Sequence, residues 1–328
     1  MDAAADVSER YGRFAREEAP GRSALYAQWA AGVESDAEIS ALLGRIPATH
    51  RQPPLVFAVT RMLGAPERSY SEWAAWVLAH ADRVVDECSR RSLQTNEPLR
   101  CAALLPALSD IAGPLALLEI GASAGLCLYP DRYSYRYGGG PDLDPVDGVS
   151  AVVLHADVSG DPPLRMPEIV WRAGIDLHPL EVADLDDRRV LLSLVWPGER
   201  GRAARIDAAL DIAAADPPLL VRGDATEEGV LERLAARAPA DATLVITTPG
   251  VLPHIARAGR ERLFRILAGM DAVWVSIDPP GLHDEWDPPV DSASWGGFVL
   301  GRDRVPLAAV DPLGAFVEWR AGGARERR

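Results

Sequence analysis

The first third of the chain carries apolar residues at intervals of three and four positions. This spacing predicts helices in RYGRFA, SALYAQWAAGV, DAEISALLGRI and YSEWAAWVLAHADRVVDEC. The pattern is interrupted at THRQPPLVF, and Asn96 followed by Pro98 signals the start of a further helix through RCAALLPALSDI. Gly113, followed by proline, then breaks the helical pattern. We therefore predict an all-helical N-terminal domain over residues 1–113.

The pattern changes beyond this point to short and nearly continuous apolar runs. Such runs are typical of strands buried on both faces of a parallel sheet, and they occur in LALLEI, EIVWRAGID, PPLLVRGD, ATLVITT and AVWVSID. Helix-like segments such as DDRRVLLSLVW, EEGVLERLAARA and RAGRERLFRILAGM separate them. This alternation predicts an α/β domain over residues 114–328, with helices on both faces of the sheet. GGFVLGRDRVPLAAV and GAFVEWR predict an antiparallel hairpin that closes the sheet edge.

One interval inside this domain is too long for a simple strand-helix-strand unit. In nucleotide-binding folds an acid lies about 20 residues beyond the glycine loop, whereas Asp176 lies 51 residues beyond Gly125. Tyrosines alternate in DRYSYRYGGG as they would on a strand. We predict a β-rich insertion over residues 129–167, either a packed edge ribbon or a flap over a substrate.

Composition and charge restrict the classes of partner. The chain has a formal charge of -14, with 48 acids against 34 bases, which disfavours nucleic acid and anionic membranes as partners. The absence of lysine excludes Schiff-base chemistry and a P-loop lysine. Three widely spaced cysteines and an acidic N-terminus, with no long apolar run, lead us to expect a cytoplasmic protein. No metal is expected, the expected partner is a small-molecule substrate, and a homodimer is left open.

The most informative motif is LALLEIGASAGLCL. It places Glu119 at the end of a buried strand and Gly121, Ser123 and Gly125 at alternate positions after it. A dinucleotide-binding loop needs the different spacing G-x-G-x-x-G. The motif resembles the first motif of class I methyltransferases that use S-adenosylmethionine (SAM), with serine in place of the middle glycine. An ordinary glycine-rich turn before a helix is the alternative.

Later strand ends extend the resemblance. In the methyltransferase fold the acid that ends the second strand binds the ribose hydroxyls, which implies this role for Asp176, with Leu177 packing on the adenine. The acid after the next strand reads the adenine amino group, which implies that role for Asp224, beside Ala225. The alternative for each acid is the start of a helix.

Several longer motifs resemble an uncharacterised bacterial family catalogued as domain of unknown function 2332. They are GRSALY, HRQPP, QTNEPLRCA, EIGASAGL, DRYSYRYGGG, GIDLHPL, RGDA and DPLGAFVEW, and they cover nearly the whole chain. The resemblance implies a Rossmann-like methyltransferase sheet behind a helical domain. It carries no reaction with it.

The chain departs from the pattern of that family at VITTPGVLPHI. Thr248 stands where the family has histidine, and His254 stands where it has tyrosine. In methyltransferases this strand end faces the methyl donor, so we expect Thr247 near the cofactor and Thr248 near the substrate. His254 is the candidate general base, with a surface histidine as the alternative. His178 and His283 are expected on loops near the same pocket.

Asn96, Glu97 and Arg100 lie at the predicted start of one helix. They are candidates for a lid or substrate-binding group, and a helix cap with an ion pair is the alternative.

The expected function is SAM-dependent methylation of a small molecule. One alternative is a catalytically silent methyltransferase-like protein that binds a ligand or partner. A second is a serine hydrolase, because Gly121, Ser123 and Gly125 also satisfy G-x-S-x-G, with Asp224 and His254 as triad partners.

Overall fold

A computed structural model describes residues 3–282 and 286–321 of the chain. Two compact units are present. The first comprises Met1–Thr95 and Ala183–Asp207, and the second comprises Asn96–Val182 and Ala208–Arg328. The predicted domain boundary at residue 113 falls inside the second unit, since the chain before β1 already packs with the sheet.

The helices in chain order are α1 (Ala3–Arg13), α2 (Ala24–Glu34), α3 (Ala37–Leu43), α4 (Pro53–Met62), α5 (Tyr70–Ala79), α6 (Ala81–Arg90), α7 (Arg100–Ser109), α8 (Leu185–Ser193), α9 (Arg202–Ala215), α10 (Val230–Ala235) and α11 (Arg257–Ala268). The strands are β1 (Leu115–Ile120), β2 (Ser134–Gly138), β3 (Asp142–Leu143), β4 (Val153–Ser159), β5 (Ile169–Asp176), β6 (Leu219–Arg222), β7 (Thr243–Pro249), β8 (Val273–Asp278), β9 (Phe298–Arg302), β10 (Val305–Val310) and β11 (Phe316–Trp319).

The first unit packs helices around a cluster of aromatic rings. Phe57 of α4 lies at its centre, with its ring 4.9 Å from that of Tyr26. Trp196, which follows α8, packs 5.6 Å from Tyr26, and Arg61 donates to the carbonyl of Val195 at 2.9 Å. These contacts bring α8 into the first unit, although its sequence predicted a helix on the sheet. Alternation along the chain did not indicate this long-range packing.

The second unit contains one mixed sheet of eleven strands in the order β3-β2-β4-β11-β10-β9-β8-β7-β1-β5-β6. The predicted α/β class with a mostly parallel sheet is confirmed, and so is the antiparallel pairing of the C-terminal strands β9, β10 and β11. The hairpin does not close the edge, however, because β11 pairs in parallel with β4. The insertion at residues 129–167 thus supplies three strands that extend the sheet.

The two faces of β1 have different surroundings because successive side chains of a strand point to opposite faces. Leu118 and Ile120 join a buried apolar cluster with Leu231 of α10 and Leu263 of α11. Glu119 points to the opposite face. That difference places the carboxylate away from the apolar cluster of α10 and α11.

Candidate functional site

The carboxyl ends of the parallel strands bring the predicted site residues together. Strands β6, β5, β1, β7 and β8 are neighbours in that order. The chain order therefore reverses between β1 and β7, and open α/β sheets bind ligands in the crevice at such a switch point. Glu119 is in register with Thr247 on β7 and with Gly174 on β5. Asp176 and Asp224 lie at the ends of the next two strands.

The glycine loop after β1 alternates into the left-handed region of the backbone. Gly121 has φ 75°, Ser123 has φ 51° and Gly125 has φ 73°. This conformation costs a residue with a side chain about 1–2 kcal/mol, which explains the two glycines. It also shows that Ser123 is held there by its surroundings.

Every backbone N–H of this loop already has an acceptor within the protein. Those of Gly121 and Ala122 donate to the carbonyl of Ile175, and that of Gly125 donates to the carbonyl of Ala122. The Ser123 N–H donates to Asp176 Oδ2 at 2.8 Å, and the Ala124 N–H donates to Asn96 Oδ1 at 3.1 Å. A phosphate-binding loop instead directs its N–H groups at the ligand. This loop therefore lacks the donors that a pyrophosphate needs.

Asn96 holds the loop from the segment before α7. Its Nδ2 donates to Ser123 Oγ at 2.5 Å, and its Oδ1 accepts the Ala124 N–H. The predicted helix start at Asn96 is wrong, because α7 begins at Arg100 and has no side-chain cap. Sequence spacing could not show this role, since Ser123 lies 27 residues away. Asn96 is a positioning residue of the glycine loop.

Glu97 is buried and its Oε1 accepts the N–H of Leu99 at 3.0 Å. It shapes the turn that leads into α7. The structure thus places Asn96 and Glu97 beneath the loop and leaves Arg100, the third of the predicted group, half-buried with its guanidinium against Gly250.

Asp176 also supports the loop. Besides the Ser123 N–H, its carboxylate accepts the N–H of His178 at 2.8 Å. Each carboxylate oxygen has a second lone pair, so the half-buried Asp176 can still accept from a ligand. Leu177 beside it is 59% exposed. An exposed leucine next to an acid at a strand end provides an apolar surface for a flat ligand.

Asp224 is half-buried after β6, and its Oδ1 accepts the N–H of Thr226 at 2.8 Å. Ala225 is buried in the apolar cluster of α10 and α11. The backbone links the two acidic strand ends, because the N–H of Gly223 donates to the carbonyl of Asp176 at 2.9 Å. Asp176 and Asp224 thus lie on neighbouring loops.

Glu119 is 4% exposed, and its Oε2 accepts no hydrogen bond from the described residues. Burial raises the pKa of this carboxyl well above its ordinary value, and the charges of Cys127 and Asp176 raise it further, while Arg100 opposes the rise. Buried carboxylate oxygens are almost always hydrogen-bonded. An orphan oxygen at the switch point is therefore where a ligand with a donor group would fit.

The two threonines of β7 lie on opposite faces. Thr247 shares the register and face of Glu119. Thr248 is fully buried, and its Oγ1 accepts a hydrogen bond from Trp274 Nε1 at 3.0 Å. Thr248 therefore lies in the core, on the face away from Glu119.

His254 is exposed and ends the short 3-10 helix Leu252–His254. His178 is exposed in the loop after Asp176, and His283 lies outside the described residues. The predicted base is thus placed on a loop after β7, and no described contact joins it to Glu119 or the glycine loop.

Three further residues were missed by the sequence analysis. A Cβ on Gly174 would lie 2.4 Å from Ala122 Cβ, so the glycine loop packs directly on β5. A Cβ on Gly121 would lie 2.4 Å from Val251 Cγ2. Gly250 adopts φ 76° beneath Arg100. The signals were a glycine inside the strand RAGID and a glycine after the strand end in TTPG.

The glycine loop is not followed by an α-helix. The chain forms only the 3-10 helix Leu126–Leu128 and then enters the insertion. This differs from the helix that the sequence motif indicated. Across residues 3–282 and 286–321, no group of three or more His, Cys, Asp or Glu side chains could hold a metal ion. None of the helices described has the length and apolar character needed to cross a bilayer.

Fold and site together define an α/β protein with a polar crevice at the switch point of a mostly parallel sheet. The chain belongs to the family described as uncharacterized protein conserved in bacteria (DUF2332), which matches residues 8–319. No curated protein and no solved structure matches the chain.

Proposed function

We propose that the protein is a SAM-dependent methyltransferase acting on a small molecule. The observation that carries this proposal is the glycine loop, whose left-handed residues allow close approach while its N–H groups are all engaged within the protein. A dinucleotide or nucleoside triphosphate would need those donors for its phosphates, whereas SAM carries no phosphate.

The order β6-β5-β1-β7-β8 further supports the proposal. Numbered along the chain as parallel strands, it is 3-2-1-4-5, the order of Rossmann-like sheets. The orphan Oε2 of Glu119 fits a cofactor that carries positive charge, because an opposite charge stabilises a buried carboxylate.

Each residue has a role in this proposal. Glu119 and the loop of Gly121, Ser123 and Gly125 bind the methionine part of the cofactor, with Thr247 beside them. The carboxylate of Asp176 accepts from the ribose hydroxyls, and Leu177 packs on the adenine. Asp224, next to Ala225, accepts from the adenine amino group.

When bound, SAM supplies an electrophilic methyl group. The protein contributes mainly by holding the acceptor in line, since proximity and orientation supply most of the acceleration in such a transfer. His254 accepts the proton of the acceptor at an imidazole nitrogen. Its exposed position on the loop after β7 leaves it open to a substrate from solvent.

The binding proposal is tested by isothermal titration calorimetry with S-adenosylhomocysteine (SAH), using NAD as the competing ligand class. We expect SAH to bind and NAD not to bind. Asp176→Ala should weaken SAH by about 1.5–3 kcal/mol, the range for hydrogen bonds to a charged group. Asp241→Ala is the matched control, because Asp241 is exposed before the amino end of β7, at the opposite edge of the sheet. Binding of NAD without SAH would overturn the proposal.

A catalytically silent SAM-binding protein is the second candidate, favoured by the contact of Val251 with Gly121 at the switch point. SAH binding without methyl transfer from labelled SAM to any small-molecule acceptor would favour it. The serine hydrolase is disfavoured, because an oxyanion hole needs the N–H after the nucleophile. The Ala124 N–H is already bound by Asn96, whose Nδ2 also occupies Ser123 Oγ.

A further inference from the structure

Arg100 is a half-buried cation that forms no ion pair with a described residue. It is the first residue of α7, and its Nε donates to the carbonyl of Pro312 at 3.0 Å. The chain has 48 acids for 34 bases, and other arginines do find carboxylates, as Arg172 does with Asp131 at 2.7 Å. A guanidinium carries five donors, and those on the two Nη atoms of Arg100 have no acceptor among the described residues. Arg100 therefore keeps its capacity to bind an anion.

The position of this guanidinium is fixed by its neighbours. The turn between β10 and β11 seats on the start of α7, since a Cβ on Gly314 would lie 2.9 Å from the backbone N of Arg100. The same turn contains Pro312, which holds Nε. A Cβ on Gly250 would lie 3.1 Å from Arg100 Nη2, so the free end of the guanidinium lies over the loop after β7. The Nη donors are thus held at one side of the switch point.

The orphan carboxylate of Glu119 lies at the other side. Strands β1 and β7 are neighbours, Glu119 is in register with Thr247, and Gly250 follows three positions later. Glu119 and Arg100 form no direct ion pair, although the charge of Arg100 affects the carboxyl of Glu119. Two opposite charges near one crevice, each without a protein counter-ion among the described residues, suit a ligand that carries both charges itself.

We infer that Arg100 and Glu119 form a subsite for an α-amino-acid group, in which the Arg100 Nη donors bind its carboxylate and Glu119 accepts from its ammonium. Guanidinium and carboxylate are geometrically matched for paired hydrogen bonds. The amino-acid group can belong to the methionine half of the cofactor, in which case the inference rests on the proposed function, or to a free amino acid.

The test compares ligands by calorimetry on the full-length protein. SAH carries the α-amino-acid group, 5′-methylthioadenosine keeps the adenosine and thioether without it, and L-methionine supplies the amino-acid part alone. The unaltered protein should bind SAH at least tenfold more tightly than 5′-methylthioadenosine. Arg100→Gln should weaken SAH roughly 10- to 100-fold and leave 5′-methylthioadenosine unchanged. Arg100→Lys, which keeps the charge but loses the paired donors, should fall between.

Arg260→Gln is the matched control, because Arg260 is also half-buried near the start of a helix and donates to a backbone carbonyl, that of Ile255. It should alter neither ligand. Equal weakening of SAH and 5′-methylthioadenosine by Arg100→Gln would overturn the subsite, since it would indicate a structural role.

The failure of the subsite and that of the proposed function give different results. Equal affinity of the unaltered protein for SAH and 5′-methylthioadenosine keeps the cofactor and overturns the subsite. Binding of L-methionine that depends on Arg100, without binding of SAH, keeps the subsite and overturns the methyltransferase. Binding of none of the three ligands overturns both.

Discussion

Asn96→Ala tests whether the glycine loop is held by the segment before α7. The substitution removes two hydrogen bonds, one to Ser123 Oγ at 2.5 Å and one from the Ala124 N–H at 3.1 Å. A buried hydrogen bond contributes about 1 kcal/mol, and a buried donor left without an acceptor costs about 1–3 kcal/mol. Ala124 is fully buried, so its N–H cannot turn to water. We expect unfolding free energy to fall by roughly 2–5 kcal/mol.

Urea denaturation measures this loss directly. In a domain of this size each kcal/mol lowers the melting temperature by about 2–4 °C, so a thermal scan should agree with the urea result. Amide hydrogen exchange locates the effect, because the Ala124 N–H should lose its protection in the variant.

The comparison variants separate the two bonds. Ser123→Ala keeps the Ala124 N–H bond to Asn96 and should cost only about 1 kcal/mol. The double variant should then be less destabilised than the sum of the two, since the two residues are in contact. Thr95→Ala, at the exposed neighbouring position, should leave stability unchanged. A change of less than about 0.5 kcal/mol in Asn96→Ala, the range of ordinary surface substitutions, would refute the reasoning.

Three further predictions follow from the site. Gly174→Ala should cost about 1–3 kcal/mol of stability by overpacking, because its Cβ would lie 2.4 Å from a methyl of the glycine loop, whereas Gly269→Ala, with open space around it, is the control. Glu119→Gln should raise the melting temperature of the ligand-free protein. Burial raises the pKa of Glu119, so its ionisation costs stability as the pH rises above about 4.3, the ordinary value for glutamate; the gain should grow from pH 4 to pH 8, and a gain that does not change with pH would contradict this. His254→Ala should leave SAH affinity unchanged and lower methyl transfer roughly 10²- to 10⁴-fold; unaltered turnover would remove His254 as the base.

Local pattern was sufficient for the strands of the parallel sheet. LALLEI, EIVWRAGID, PPLLVRGD, ATLVITT and AVWVSID all form strands, because each is a short apolar run bounded by turn residues. The alternate spacing after Glu119 also indicated the loop conformation, since Gly121 and Gly125 adopt positive φ where a side chain is costly.

Tertiary packing decided what local pattern left open. The strands of residues 129–167 joined the far edge of the sheet beside β11, and α8 joined the first unit, because apolar faces and unpaired strand edges are satisfied by partners distant in sequence. A helical pattern indicates that a face must be buried but not against what.

The site shows the same division at the level of single residues. The sequence by itself placed Glu119, Asp176 and Asp224 at strand ends, because the end of an apolar run is a local signal. Only the tertiary structure joined Asn96 to the loop and Arg100 to Gly250. These contacts depend on how α7 packs beside the sheet, and the energy that selects that packing comes from many residues far apart in the chain.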